Sequence, residues 1–365
     1  MNKPLSSSYL GSHSAGALLF LLILAGGDML RGSHSPIGIL MGLLFVLPLL
    51  LIYSRLLKLC PGQNLFDMLQ FAAGKWVSKL MGLLYGLFFL WIATSTLGFY
   101  ARFIAAVSLP QTPILVLLIA LSLAGIYLAW SRVESMGKFS LVIAFVCVVF
   151  FLILTLTAIP NIELSNLSPL LSQNPNQLFG GGIHFTELFG ICAVLLLALT
   201  RPLNKKSSPY RIFFIATGAA VAVLLLTFTR DIAVLGTHNA NNSLYPTFAM
   251  ANALSLGSIG ARIAFVAAIA MLFAGIGKIG ISIHAAASAT AAIFPKKEGE
   301  HPARHMVLPM GILTLLLSAG TIWLGAGRLN FLTFSPAISL IFTVAIPIIL
   351  WIAAEIKTAS QRKKT

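Results

Sequence analysis

The sequence predicts an all-α polytopic membrane protein with about ten transmembrane helices, and three observations carry that prediction. Of the 365 residues, 58 % are hydrophobic and 9 % charged, against about 25 % charged in ordinary soluble domains. The apolar residues gather in repeated runs, each near the ~20 residues a helix needs to cross a bilayer. Lysine and arginine sit in the short segments between the runs, where they report orientation in a membrane. In a soluble chain a net charge of +15 would point to nucleic acid; this placement argues against that partner.

Ten spans are predicted at about 12–30, 36–57, 80–107, 112–130, 137–159, 183–200, 210–229, 259–293, 304–326 and 331–354. The eighth run exceeds the need of one crossing, and reads as a tilted helix or a span with a bend. With the N-terminus inside, eighteen basic residues fall in inside segments, among them Arg55, Lys58, Lys75, Lys79, Arg132 and Lys357. Three fall outside, Arg31, Arg230 and Arg328, and three within spans, Arg102, Arg262 and Lys278. An even number of crossings with both termini cytoplasmic satisfies this asymmetry. Lys3 alone precedes the first run, so no cleavable signal is expected. Residues 1–355 read as one transmembrane domain in two groups of five spans, about 10–159 and 183–354, followed by a basic tail at 356–365 whose second use is contact with membrane lipids.

The connections are less uniform. Between spans two and three, Pro61-Gly62 marks a turn, and Leu65, Met68, Leu69 and Ala72 share one face of a short interfacial helix. Residues 160–182 are rich in Asn, Ser, Pro and Gly, with a short helix expected in the middle. Residues 230–257 contain an uncharged polar stretch from Thr237 to Ser243, which reads as an entrance cover or an intersubunit surface, or equally as a passive connection. Cys60, Cys147 and Cys192 are isolated, so neither a disulfide framework nor a metal or other cofactor is expected.

Candidate solute contacts come from polar and flexible positions inside apolar runs. The first span meets Gly26, Gly27 and Asp28. Two glycines loosen a helix, and a carboxylate at bilayer depth needs water, a cation or a donor. Either the helix opens there, or the run simply ends and Asp28 meets solvent. The sixth span begins Gly180-Gly181-Gly182-Ile183-His184-Phe185-Thr186-Glu187, again glycines beside a carboxylate, making Gly182, Thr186 and Glu187 the matching candidates. Glycine-interrupted spans at corresponding positions of two halves point to the solute site of an inverted-repeat transporter. There, helix-end amides could hold an amino acid's carboxylate, while free carbonyls, Asp28 or Glu187 receive its ammonium. Lys278, deep in the eighth span, pairs with Glu187 or Asp28, stands in for a sodium ion, or snorkels to an interface; the interior reading is favoured. Thr94, Ser95 and Thr96 in the third span either bond their own helix or line a polar cavity, and Thr94 is taken as the candidate contact.

Several stretches resemble the B-subunit family of bacterial spore germinant receptors, which is related to permeases of the amino acid/polyamine/organocation superfamily. They are Cys60-Pro61-Gly62-Gln63-Asn64-Leu65, Gly74-Lys75-Trp76, Lys79 to Phe89, Thr112-Pro113, Trp130 to Glu134, Asp231 to Gly236 and Leu244-Tyr245-Pro246. The resemblance implies a five-plus-five inverted repeat with discontinuous first and sixth helices. It also implies work with A-type and C-type receptor subunits in sensing a small nutrient, often an amino acid, at the spore inner membrane or cytoplasmic membrane. By matching position, the first-span break falls on Gly26 and Gly27, the sixth on the Gly180–Gly190 region, and the family's lysine on Lys278. The first span departs from the usual Ile-Gly-Thr-Gly-Ile-Leu pattern, and Ser131 stands where the family commonly has glycine.

The expectation is therefore a germinant-receptor subunit, with a standalone proton-coupled amino acid or amine permease as the alternative and a purely structural membrane scaffold as a third class. No nucleophile and base come together in the sequence, so an enzyme is not expected.

Overall fold

The computed structural model describes residues 7–27, 36–172, 175–199, 208–254, 258–294, 302–323 and 336–362. Asp28, Arg31 and Arg328 lie outside them. The protein is an all-α polytopic membrane protein. Among the described residues, eight helices are long and apolar enough to cross a membrane, and two shorter apolar helices, Ala15–Ala25 and Ile114–Trp130, accompany them.

Every expected span overlaps a helix. In chain order they are α1 (Ser7–Gly27), α2 (Pro36–Leu59), α4 (Lys75–Val107), α5 (Ile114–Trp130), α6 (Val133–Ala158), α7 (Pro175–Leu199), α8 (Pro209–Leu235), α11 (Ser258–Ala291) and α12 (Pro302–Trp323). The last is built from α13 (Pro336–Leu340), a π-helical turn over Ile341–Ala345, and α14 (Ile346–Arg362). The short helix α3 (Leu65–Ala73) is capped by Asn64, whose Oδ1 accepts from the Asp67 amide at 2.8 Å. It does not merely lie on an interface: Leu65, Phe66, Met68 and Leu69 are buried. Gly74, at φ 90, turns the chain straight into α4, a conformation an L side chain rarely adopts.

The long eighth run is one continuous helix, α11, and the core assembles around it, with α1, α4, α5, α6, α7, α12 and the short α10 (Pro246–Ala253) against it. Its glycines explain the close approach. A Cβ on Gly280 would lie 3.0 Å from Leu128 of α5, and one on Gly277 would lie 2.8 Å from Leu21 of α1. The π turn has its own supports. A widened turn frees carbonyls from the ordinary ladder, and Tyr53 Oη donates to Thr343 O at 2.5 Å while Tyr85 Oη donates to Phe342 O at 2.8 Å.

The connection after α8 differs from a polar loop. It forms α9 (Thr237–Asn242) and α10 (Pro246–Ala253), and the segment before α7 forms a 3-10 helix over Leu164–Ser172. Arg230, counted from sequence as an outside charge, instead lies within α8 and is 2 % exposed. The hydropathy run ends near residue 229, but the helix continues because Asp231 beside it supplies the counter-charge.

Candidate solute site

α1 is buried from Leu18 to Ala25 and its helix ends on Gly26 and Gly27. The last carbonyls of a helix lack partners inside it and carry partial negative charge. One of them is answered by α4: Tyr100 Oη donates to Ala25 O at 3.0 Å. The same ring lies over Gly275 of α11, where an added Cβ would approach the ring carbons to 2.6 Å. Tyr100 therefore joins the end of α1 to α4 and α11. Sequence reasoning passed over it, although a tyrosine in mid-span always needs an acceptor for its hydroxyl.

Beside this contact is a cavity of about 20 Å³ whose lining includes Ala25, Tyr100, Cys147, Thr227, Thr247 and Ala274. It has room for about one water-sized guest. The polar groups in its wall have partners of their own. Thr227 Oγ1 donates to Val223 O at 2.8 Å, and the Cys147 thiol donates to Ala270 O at 3.7 Å. What the cavity offers a guest is mostly carbon.

From α11 the cavity receives Met271 and Ala274, and this stripe continues at helical spacing to Lys278 and Ser282. Lys278 sits about 6 Å, one turn, further along the axis. It is 2 % exposed, within electrostatic reach of Cys192 on α7, and does not snorkel. Among the described residues, Ser282 Oγ and Thr96 Oγ1 have no hydrogen-bond partner. Thr96 is one turn before Tyr100 and shares its face. Thr94, the residue favoured from sequence, is also buried, with no hydrogen-bond partner for Oγ1 among the described residues. It shares a face with Gly98, whose added Cβ would meet Ser318 Oγ of α12 at 3.1 Å.

The expected break in the sixth span does not interrupt the helix: α7 runs from Pro175 through Gly180, Gly181 and Gly182 to Leu199. Its glycines serve packing. A Cβ on Gly182 would lie 3.1 Å from the Phe45 ring and 3.3 Å from the Gly42 amide nitrogen of α2, so the two backbones nearly touch. Thr186 Oγ1 donates to Gly182 O at 2.8 Å within its own helix. Glu187 pairs with His184 of the same helix, Oε2 to Nδ1 at 3.7 Å, rather than with Lys278. The structure thus brings the end of α1, Tyr100, Thr96 and Lys278 towards one core, leaves Thr186 and Glu187 with partners in their own helix, and packs Gly182 against α2.

Comparison with solved structures shows what this order and packing of helices resembles. The fold is similar to a protein described as a Na+-coupled sialic acid symporter, with a TM-score of 0.62, 13 % identity, and 89 % of this chain and 74 % of that one covered. It is similar to MhsT, solved in complex with L-phenylalanine, with a TM-score of 0.65, 15 % identity and coverage of 93 % and 87 %. The likeness is one of fold.

The chain belongs to the spore germination protein family, whose model matches residues 13–321. Among curated relatives it is 26 % identical over 215 residues to the putative spore germination protein YfkT of Bacillus subtilis strain 168. That match covers 59 % of this chain and 58 % of the relative, so the chain spans little more than half the length of the relative it matches.

Proposed function

We propose that this protein is the membrane-embedded subunit of a spore germinant receptor, binding a small nutrient, an amino acid, and promoting germination together with A-type and C-type subunits. The observation that carries the reading is membership of the spore germination family across residues 13–321. The transporter fold supports ten crossings arranged as a five-plus-five inverted repeat within residues 1–355, with both termini facing the cytoplasm or spore core. The membrane is the spore inner membrane.

Within that reading the end of α1 and Lys278 divide the ligand between them. Gly26 and Gly27 present helix-end carbonyls, and with Asp28 they accept the ammonium of an amino acid, as the negative end of a helix dipole favours. Lys278 takes the carboxylate, and the unpartnered hydroxyl of Thr96 completes the polar wall. Thr94 faces the α12 side, while Gly182, Thr186 and Glu187 support the site from α7 without touching the ligand.

Deletion in the spore-forming host tests the function: response to one nutrient falls while spore formation is intact, and normal responses to every nutrient would overturn it. The likeness to a Na+-coupled symporter keeps a standalone permease as the second reading. Uptake of an amino acid by the purified chain alone in liposomes decides for it.

A further inference from the structure

Away from the core, where α8 finishes, the 3-10 helix over Leu164–Ser172 and α9 form a pocket of about 680 Å³, within the ~300–1,000 Å³ usual for small-molecule sites. Such sites are mostly apolar, and this one is not. Ser165 and Asn166 come from the 3-10 helix, and Thr237, His238 and three asparagines from α9, with Leu235 as the one apolar side chain. Among the lining residues there is no Asp, Glu, Lys or Arg. A charged guest would find no counter-charge here, whereas an uncharged one rich in hydrogen-bonding groups is matched by the walls.

Those walls are held in place by the last turn of α8. Asn166 Nδ2 donates to Ala233 O at 3.1 Å, and Asn239 Nδ2 donates to Leu235 O at 3.0 Å. A backbone carbonyl can only accept, so each bond fixes which way its amide points. The nitrogen ends are anchored, and the two Oδ1 atoms are left as acceptors; Asn166 Oδ1 lies over Gly236, 3.6 Å from where a Cβ would stand. Thr237 Oγ1 donates to Asn166 O at 3.3 Å and keeps its own lone pairs. Two backbone bonds, Glu163 N to Ala233 O at 3.0 Å and Asn166 N to Glu163 O at 3.1 Å, tie the 3-10 segment to α8. The pocket is therefore shaped before any guest arrives, which lowers the ordering cost of binding.

Acceptor atoms without a charge call for hydroxyl donors. A sugar carries hydroxyls that donate and accept at once, on a ring whose C–H faces are apolar, and Leu235 gives such a face a place to lie. We propose that this pocket is a saccharide site, separate from the solute site, in which the amide oxygens of Asn166 and Asn239 and the hydroxyl of Thr237 accept from an uncharged sugar. Asn241, on the same wall, offers both a donor and an acceptor. The proposal rests on the pocket alone and holds for a receptor or a permease.

Purified full-length protein in lipid nanodiscs, with both faces accessible, is titrated with glucose and, separately, with maltotriose, and binding is read by saturation-transfer NMR on the sugar protons against empty nanodiscs. Saturable binding of glucose identifies a free monosaccharide as the guest, and binding of maltotriose alone identifies a stretch of glycan chain. Asn239→Ala, at an exposed position of α9, weakens the affinity about fivefold, as the loss of one neutral hydrogen bond implies. Asn241→Leu, also exposed, gives a loss of the same size and keeps the test open should Asn239→Ala disturb α9. Lys278→Met leaves the sugar affinity unchanged, which separates this pocket from the nutrient site. The proposal is overturned if neither sugar saturates below about 10 mM, if glucose 6-phosphate binds more tightly than glucose, if both asparagine variants keep full affinity, or if Lys278→Met loses as much as they do.

Discussion

The glycines at Gly26–Gly27 and those at Gly180–Gly182 look alike in the sequence and are used in different ways. Both sit in apolar runs within seven residues of a carboxylate. Gly26 and Gly27 end a helix, and the carbonyl just before them, that of Ala25, is met by a tyrosine from another helix. Gly180, Gly181 and Gly182 lie inside a helix that does not break, and Gly182 is there because α2 passes against it. A missing side chain thus permits either a chain end or a close approach, and in lipid both are frequent. What decides between them is the neighbour, here Gly42 of α2, which the local sequence does not reveal.

The largest effect is expected where that close approach is filled. In Gly42→Val the new Cβ would lie 2.7 Å from Phe185 Cβ and 2.9 Å from Gly182 O. Overpacking of this kind costs about 1–3 kcal/mol, and a backbone oxygen has nowhere to go, so the upper end applies. Thermal unfolding in detergent should show a clear loss of stability. Gly180→Ala, with nothing within 4 Å of the added carbon, should be neutral or slightly stabilising. Equal losses in the two variants would mean that the α7 glycines act through flexibility, as a break would require.

Next comes Lys278→Met. It keeps an unbranched side chain one atom shorter and removes the charge that we assign to the nutrient's carboxylate. The half-maximal nutrient concentration should rise at least tenfold, with the amount of protein in the membrane preserved. An unchanged response in normally assembled protein would remove Lys278 from the site. Tyr100→Phe follows, deleting the bond to Ala25 O while keeping the ring on Gly275. About 1 kcal/mol is at stake, read as a small drop in melting temperature and a looser end of α1 by hydrogen exchange.

Much of the fold was legible because the bilayer imposes it. Run length and the side preference of Lys and Arg located a helix for every expected span, and the Pro61-Gly62 turn with the apolar face of Leu65, Met68, Leu69 and Ala72 announced α3. The site was legible only in part. Lys278 stood out because a buried lysine is costly, and a mid-span charge is rare enough to notice. Tyr100 and the Arg230–Asp231 pair did not stand out. Their importance comes from contacts 75 residues away in the case of Tyr100 and Arg230, and 16 in the case of Asp231 and Thr247. Thr94 and Thr96 differ by two residues, which on a helix turns the side chain by about 200°. Choosing between them needed the register, fixed here by Tyr100 one turn beyond Thr96.

The smallest expected change is the one that tests the comparison most directly. Glu187→Gln preserves shape and removes the charge on α7 that the sequence paired with Asp28 on α1. In the structure its carboxylate reaches His184, whose side chain is 42 % exposed, on its own helix. The Lys278 stripe and the cavity lie elsewhere. Losing the pair should therefore shift the half-maximal nutrient concentration by no more than about twofold, measured in the same response used for Lys278→Met. A loss as large as that of Lys278→Met would show that α7 brings its carboxylate to the ligand after all. The two glycine runs would then be alike in function even though one ends a helix and the other does not.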